Sequence, residues 1–141
     1  MRILKLAAKL AFALFFVGAG INHFLRTGFY LRMMPPYVPF HHTAVYVSGV
    51  AEIALGLLLL VPQTTVVAAW GIIALLVAVF PANLQMAIHP ETFPEFTPAA
   101  LWIRLPFQPL MMAWAFWLTR RHDQKKQRST KPPPPAQPPL G

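Results

Sequence analysis

Four long apolar runs alternate with short polar or proline-rich links along this chain, and their spacing predicts helices at about 6–25, 43–61, 66–88 and 99–118. Each run is close to the ~20 residues a helix needs to cross a bilayer. The first follows a basic start, Arg2, Lys5 and Lys9. Its apolar part is longer than a signal-peptide core and has no small-residue cleavage site after it, so it reads as an uncleaved helix with Lys9 snorkelling to the cytoplasmic surface. Pro62 ends the second run, and Gln63-Thr64-Thr65 makes a tight turn into the third. Pro81 interrupts the third and frees the carbonyl of Val77, which a neighbour must satisfy. The fourth carries Arg104, Pro106, Gln108 and Pro109.

Two stretches break the pattern. Residues 26–42 hold Pro35, Pro36 and Pro39 among aromatic residues and methionines, which forbids a regular span. A short amphipathic turn of helix at the interface, then an extended segment, is expected there, with Tyr30 and Tyr37 at headgroup level. From Arg120 the chain turns polar and basic and then almost all proline. Residues 120–141 are expected to be a disordered cytoplasmic tail beside a single membrane domain, 1–119.

Composition agrees. Of 141 residues 56% are hydrophobic and only 11% charged, which suits an all-α, four-transmembrane-helix bundle better than a soluble domain. The net charge of +8 flanks apolar segments, so its expected partners are membrane lipids and not nucleic acid. With no cysteine, intrinsic thiol exchange and iron–sulfur chemistry are excluded. Four spans with basic residues at both ends place the N- and C-termini in the cytoplasm.

That topology aligns the polar residues by depth. Glu52 is the only acidic residue inside an apolar run. It lies ~14 Å into its helix, near the midplane. Asn22, His23 and Asn83 fall near the outer ends of their helices, and Arg104 and Gln108 share a face one turn apart. Gly49, Glu52 and Gly56 also share a face, which leaves room for a partner. Arg104 is the expected partner of Glu52, with Asn22, His23, Asn83 and Gln108 completing the hydrogen bonding. Two readings compete. One is a ligand pocket in the outer half, lidded by residues 26–42, because ionisable groups at membrane depth mark function. The other is a buried ion pair that only fixes helix register. A haem between His23 and His89, or copper at His41-His42 with Met33-Met34, is a weaker reading, and no metal site is expected.

The stretches Gly20-Ile-Asn-His-Phe24, Phe29-Tyr-Leu-Arg-Met-Met-Pro-Pro-Tyr37, Ser48-Gly-Val-Ala-Glu-Ile-Ala-Leu-Gly56, Phe80-Pro-Ala-Asn83 and Arg104-Leu-Pro-Phe-Gln-Pro109 together resemble the DoxX family of small bacterial membrane proteins. The resemblance implies a multi-pass protein of the bacterial inner membrane, associated with oxidoreductases. Such a protein would be an accessory subunit, without enzymatic activity of its own, binding a quinone-like or small anionic ligand at Glu52, Arg104, Asn22, His23, Asn83 and Gln108. No intrinsic cofactor is expected beyond a quinone. The alternative is a non-catalytic scaffold or assembly factor that works through a protein partner or a homo-oligomer.

Overall fold

A computed structural model describes the backbone of residues 2–130 and the side chains of residues 3–120. Five α-helices form, α1 (Arg2–Leu25), α2 (Thr27–Met33), α3 (His41–Leu60), α4 (Thr65–Ile88) and α5 (Pro98–Thr130), with a 3-10 turn at Pro90–Thr92 between the last two. No strand occurs among the described residues. Among the described residues three helices are long and apolar enough to cross a membrane: Ile3–Leu25, His41–Leu60 and Thr65–Ile88. The fourth predicted span is a helix, within α5, but it is not among these three. Its Arg104, Gln108 and two prolines dilute the apolar run.

Helix α5 runs on to Thr130, past the helix end expected at Leu118 and into the first residues of the expected tail. Residues 120–130 are mostly Arg, Lys and Gln, good helix formers without proline or glycine. Extending an existing helix avoids the nucleation step that made this segment look structureless alone. The proline-rich end, residues 131–141, lies outside the described residues.

Helices α1, α3, α4 and α5 pack in that order, each antiparallel to the next. Small residues bring α1 and α3 together. A Cβ placed on Gly20 would meet the Gly49 carbonyl oxygen at 2.5 Å, and one on Gly56 would meet the Ala13 carbonyl oxygen at 3.0 Å. Lys9 does not run free to the surface. Its ammonium donates to the Leu60 carbonyl at 3.3 Å and to the Thr65 hydroxyl at 2.8 Å. A cation there suits the negative C-terminal end of α3 and ties α1 to the α3–α4 turn. The inner core is apolar: Phe12, Phe16, Leu59, Ile72, Met111 and Ala115.

The ring of helices stays loosest between α1 and α5. Their backbones scarcely approach, and they meet through aromatic side chains: Phe12 on Trp114 at 5.1 Å and Phe15 on Phe107 at 6.3 Å. At the end of the bundle where α1 finishes, α2 lies across it. It packs Met33 into a second core with Met86, Phe93 and Leu101. The chain then passes through the proline segment and enters α3 at Phe40, whose φ of 56° is left-handed backbone that a bulky residue rarely adopts.

Candidate functional site

Beneath α2 the helices diverge around a cavity of about 340 Å³. His23, Glu52, Asn83, Arg104 and Gln108 line it, so five of the six expected site residues converge. Asn22 does not line the cavity but supports it, donating from its amide to the Tyr30 hydroxyl at 3.0 Å. The rest of the wall is mostly apolar and includes Phe16, Met33, Leu76, Val79 and Met111.

The expected pairing is corrected. Arg104 does not meet Glu52. Its guanidinium donates to the Met86 sulfur at 2.9 Å and sits 5.7 Å above the Phe96 ring. Glu52 faces His23, whose Nε2 is 3.5 Å from Glu52 Oε2. The reason is helix adjacency: α1 packs directly on α3, whereas α5 packs on α4. The close glycine contacts bring His23 against α3, with its Cβ 2.8 Å from where a Gly49 Cβ would be.

Hydrogen bonding fixes how the imidazole is used. His23 Nδ1 lies 3.0 Å from the Val45 carbonyl oxygen, which can only accept, so Nδ1 carries a proton. The Ser48 hydroxyl is 3.0 Å from the same nitrogen and donates to the same carbonyl, one turn before Glu52. Nε2 of a neutral His23 is then a bare lone pair facing Glu52. Glu52 and His23 are thus built to share one proton with no net charge, which suits a low-dielectric interior. Glu52 Oε2 is buried without a hydrogen-bond partner, and so is Gln108 Oε1. The Gln108 amide nitrogen donates to the Leu76 carbonyl at 3.1 Å. It therefore serves the carbonyl before Val77, the one expected to need a neighbour. Pro81 opens the α4 ladder in this region.

Four contributors to the site were not singled out by sequence. Tyr30, expected at headgroup level, stacks its ring 3.8 Å from that of His23 and lines the cavity. Burial raises its hydroxyl pKa above the ordinary tyrosine value, so the hydroxyl keeps its proton and can donate. Ser48 precedes Glu52 by four residues on the same face, a signal the spacing does carry. Phe15 and Phe107 line the cavity from the loose α1–α5 side, about half exposed. The histidines do not form a haem pair: His89 sits at the exposed end of α4 with Glu91, 3.0 Å away. His41 binds the Pro35 carbonyl at 3.1 Å. Among the described residues no group of three or more His, Asp or Glu could hold a metal ion.

The fold and cavity define a small helical bundle with three membrane-length helices around a largely apolar chamber. Residues 12–119 match a family model described as a domain of unknown function (DUF8561). The chain belongs to that family. It is not a DoxX protein, and the oxidoreductase association that rested on that resemblance loses its support. The stretches behind the resemblance are those that bring α1 and α3 together, cap the chamber and break helices with proline. Such solutions recur in unrelated bundles. No curated protein and no solved structure matches the chain.

Proposed function

We propose that this protein is a four-span membrane protein that binds a largely apolar small molecule with a polar head in the chamber between α1, α3, α4 and α5. The observation that carries this reading is the chamber itself. Its volume of about 340 Å³ falls within the usual range for ligand pockets, and its apolar wall holds a few convergent polar groups. A single aromatic head with a short tail, quinone-like in build, suits that balance. A small anion suits it less, because Glu52 shares the wall with Arg104 and opposes negative charge. The loose α1–α5 seam at Phe15 and Phe107 supports entry from the lipid phase.

Native mass spectrometry of the full chain, purified in mild detergent, with lipid extraction of the same sample, tests the reading. We expect one small molecule per chain, lost in Glu52→Gln or Arg104→Gln. A chain that carries none, and takes up none from an added panel of aromatic amphiphiles, overturns it. The second reading is a non-catalytic scaffold. It is favoured by the internal use of Asn22, His23 Nδ1 and the Gln108 amide nitrogen, which act as helix glue. On that reading a protein partner or second copy stays bound when Glu52 and Arg104 are both neutralised.

A further inference from the structure

Resting on the ligand-binding reading above, we infer that the chamber selects a ligand whose head donates hydrogen bonds, such as a dihydroxy-aromatic head, over one that only accepts them. The two buried side-chain oxygens without partners, Glu52 Oε2 and Gln108 Oε1, both belong to residues lining the chamber. Both residues are more than nine-tenths buried, with exposures of 8% and 5%. Gln108 Oε1 can only accept, and Glu52 keeps one accepting oxygen beside the proton it shares with His23. For Gln108 the amide orientation is settled by chemistry: the Leu76 carbonyl can only accept, so the nitrogen faces it and the oxygen is left over. For Glu52 the imidazole settles it. With Nδ1 protonated toward Val45, Nε2 offers a lone pair, so the Glu52–His23 pair holds at most one proton while it stays neutral or anionic. Wherever that proton sits, at least one carboxylate oxygen remains an acceptor.

The strong donor on the wall does not fill this gap. Arg104 turns to Met86 and Phe96, which are weak acceptors. Buried acceptors left bare are costly, and a site holding them rejects an analogue that lacks the matching hydroxyl. A quinone in its oxidised form brings only acceptors and leaves both oxygens bare. A molecule of the same shape with two hydroxyls satisfies Gln108 with one and the Glu52–His23 pair with the other. Its own oxygens remain free to accept from Tyr30, which lines the same chamber.

Calorimetric titration of the full chain in detergent micelles, corrected with empty micelles, compares 4-hexylresorcinol with its dimethyl ether and with hexyl-1,4-benzoquinone. All three carry a six-carbon ring and a hexyl tail, the ether keeps the diol's oxygen positions, and only the diol donates. We expect the diol to bind at least about tenfold more tightly than either of the others. In Gln108→Leu, checked for retained helicity, most of that preference should vanish through weaker diol binding. Equal affinity for all three, tighter binding of the quinone, or a preference untouched in folded Gln108→Leu overturns the inference while leaving the chamber a ligand site. Binding of none of the three overturns the ligand-binding reading with it.

Discussion

One carboxyl in an apolar helix must be answered by a neighbouring helix, and His23 of α1 answers Glu52. Depth along each helix follows from residue counting, and depth alone favoured Arg104. Which helix lies beside α3, and how each is rotated, depends on packing between glycines distant in sequence. That packing puts His23 of α1 against Glu52 and sends Arg104 to α4. The two pairings differ in what mutations do. His23→Leu removes the imidazole with which Glu52 shares its proton and should cost about 2.5–3.5 kcal/mol, the scale for an unpaired ionisable group at membrane depth. Adding Glu52→Leu should recover part of that loss, whereas Arg104→Gln alone should cost less than His23→Leu. Thermal unfolding of the four variants in one detergent, read by circular dichroism, checks this. An Arg104→Gln loss that Glu52→Leu repairs would restore the original pairing. The glycines give a second contrast. Gly20→Ala drives a methyl into the Gly49 carbonyl and should cost about 1–3 kcal/mol. Gly18→Ala meets nothing within 4 Å. As an alanine within a helix it should be neutral, or stabilising by up to about 1 kcal/mol, in the same assay.

At the scale of elements, the short helix α2 depends on a latch remote in sequence. Arg32 donates to the Thr92 carbonyl at 3.0 Å, pairs with Glu95, and lies over the rings of Phe29 and Phe93 at 5.6 and 5.1 Å. The latch joins α2, which carries Tyr30 and Met33 over the chamber, to the loop between α4 and α5. The short interfacial helix was legible in the connector, because the prolines confine any helix to residues before Pro35. Its anchoring was not, since Arg32 meets Thr92 and Glu95 across separations of 60 and 63 residues that no local pattern reports. The Arg32 hydrogen bond holds Glu95 below its ordinary carboxylate value of 4.5, so the latched state takes up the proton less readily than the unlatched one. The latch is therefore intact at neutral pH, and its contribution is lost as pH falls below that value. The pair is exposed, so the effect is modest and weakens with salt. Relative to the intrinsic amide rate at each pH, hydrogen exchange of Thr27–Met33 should quicken in Arg32→Gln at neutral pH and should then show no further quickening in acid. Exchange that quickens in acid just as much in the variant would assign the effect to other groups, Glu91 with His89 foremost.

For the whole molecule, the number of crossings decides where the two ends lie. Three membrane-length helices alone would leave the termini on opposite sides, whereas a crossing α5 returns the C-terminus to the side of the N-terminus. The polar groups that weaken α5 as a span are largely spent inside the bundle. Gln108 is buried, Arg104 lies against Met86 and Phe96, and Leu101, Met111 and Ala115 fill the two cores beside α4. What α5 offers outward includes Ile103, Phe107 and Leu110, all apolar and exposed. A helix of 33 residues spans ~50 Å, enough to cross a ~30 Å hydrocarbon core and carry its basic end into water. Arg2, Lys5 and Lys9 at one end and the basic residues beyond Arg120 at the other favour a shared cytoplasmic side. Fluorescent-protein fusions, which mature only in the cytoplasm, should therefore light up at either terminus in a bacterial host, and alkaline phosphatase fused after Thr130 should stay inactive. Active phosphatase there would leave α5 outside the bilayer, strip the chamber of its Arg104 and Gln108 wall within the membrane, and make three spans the correct count.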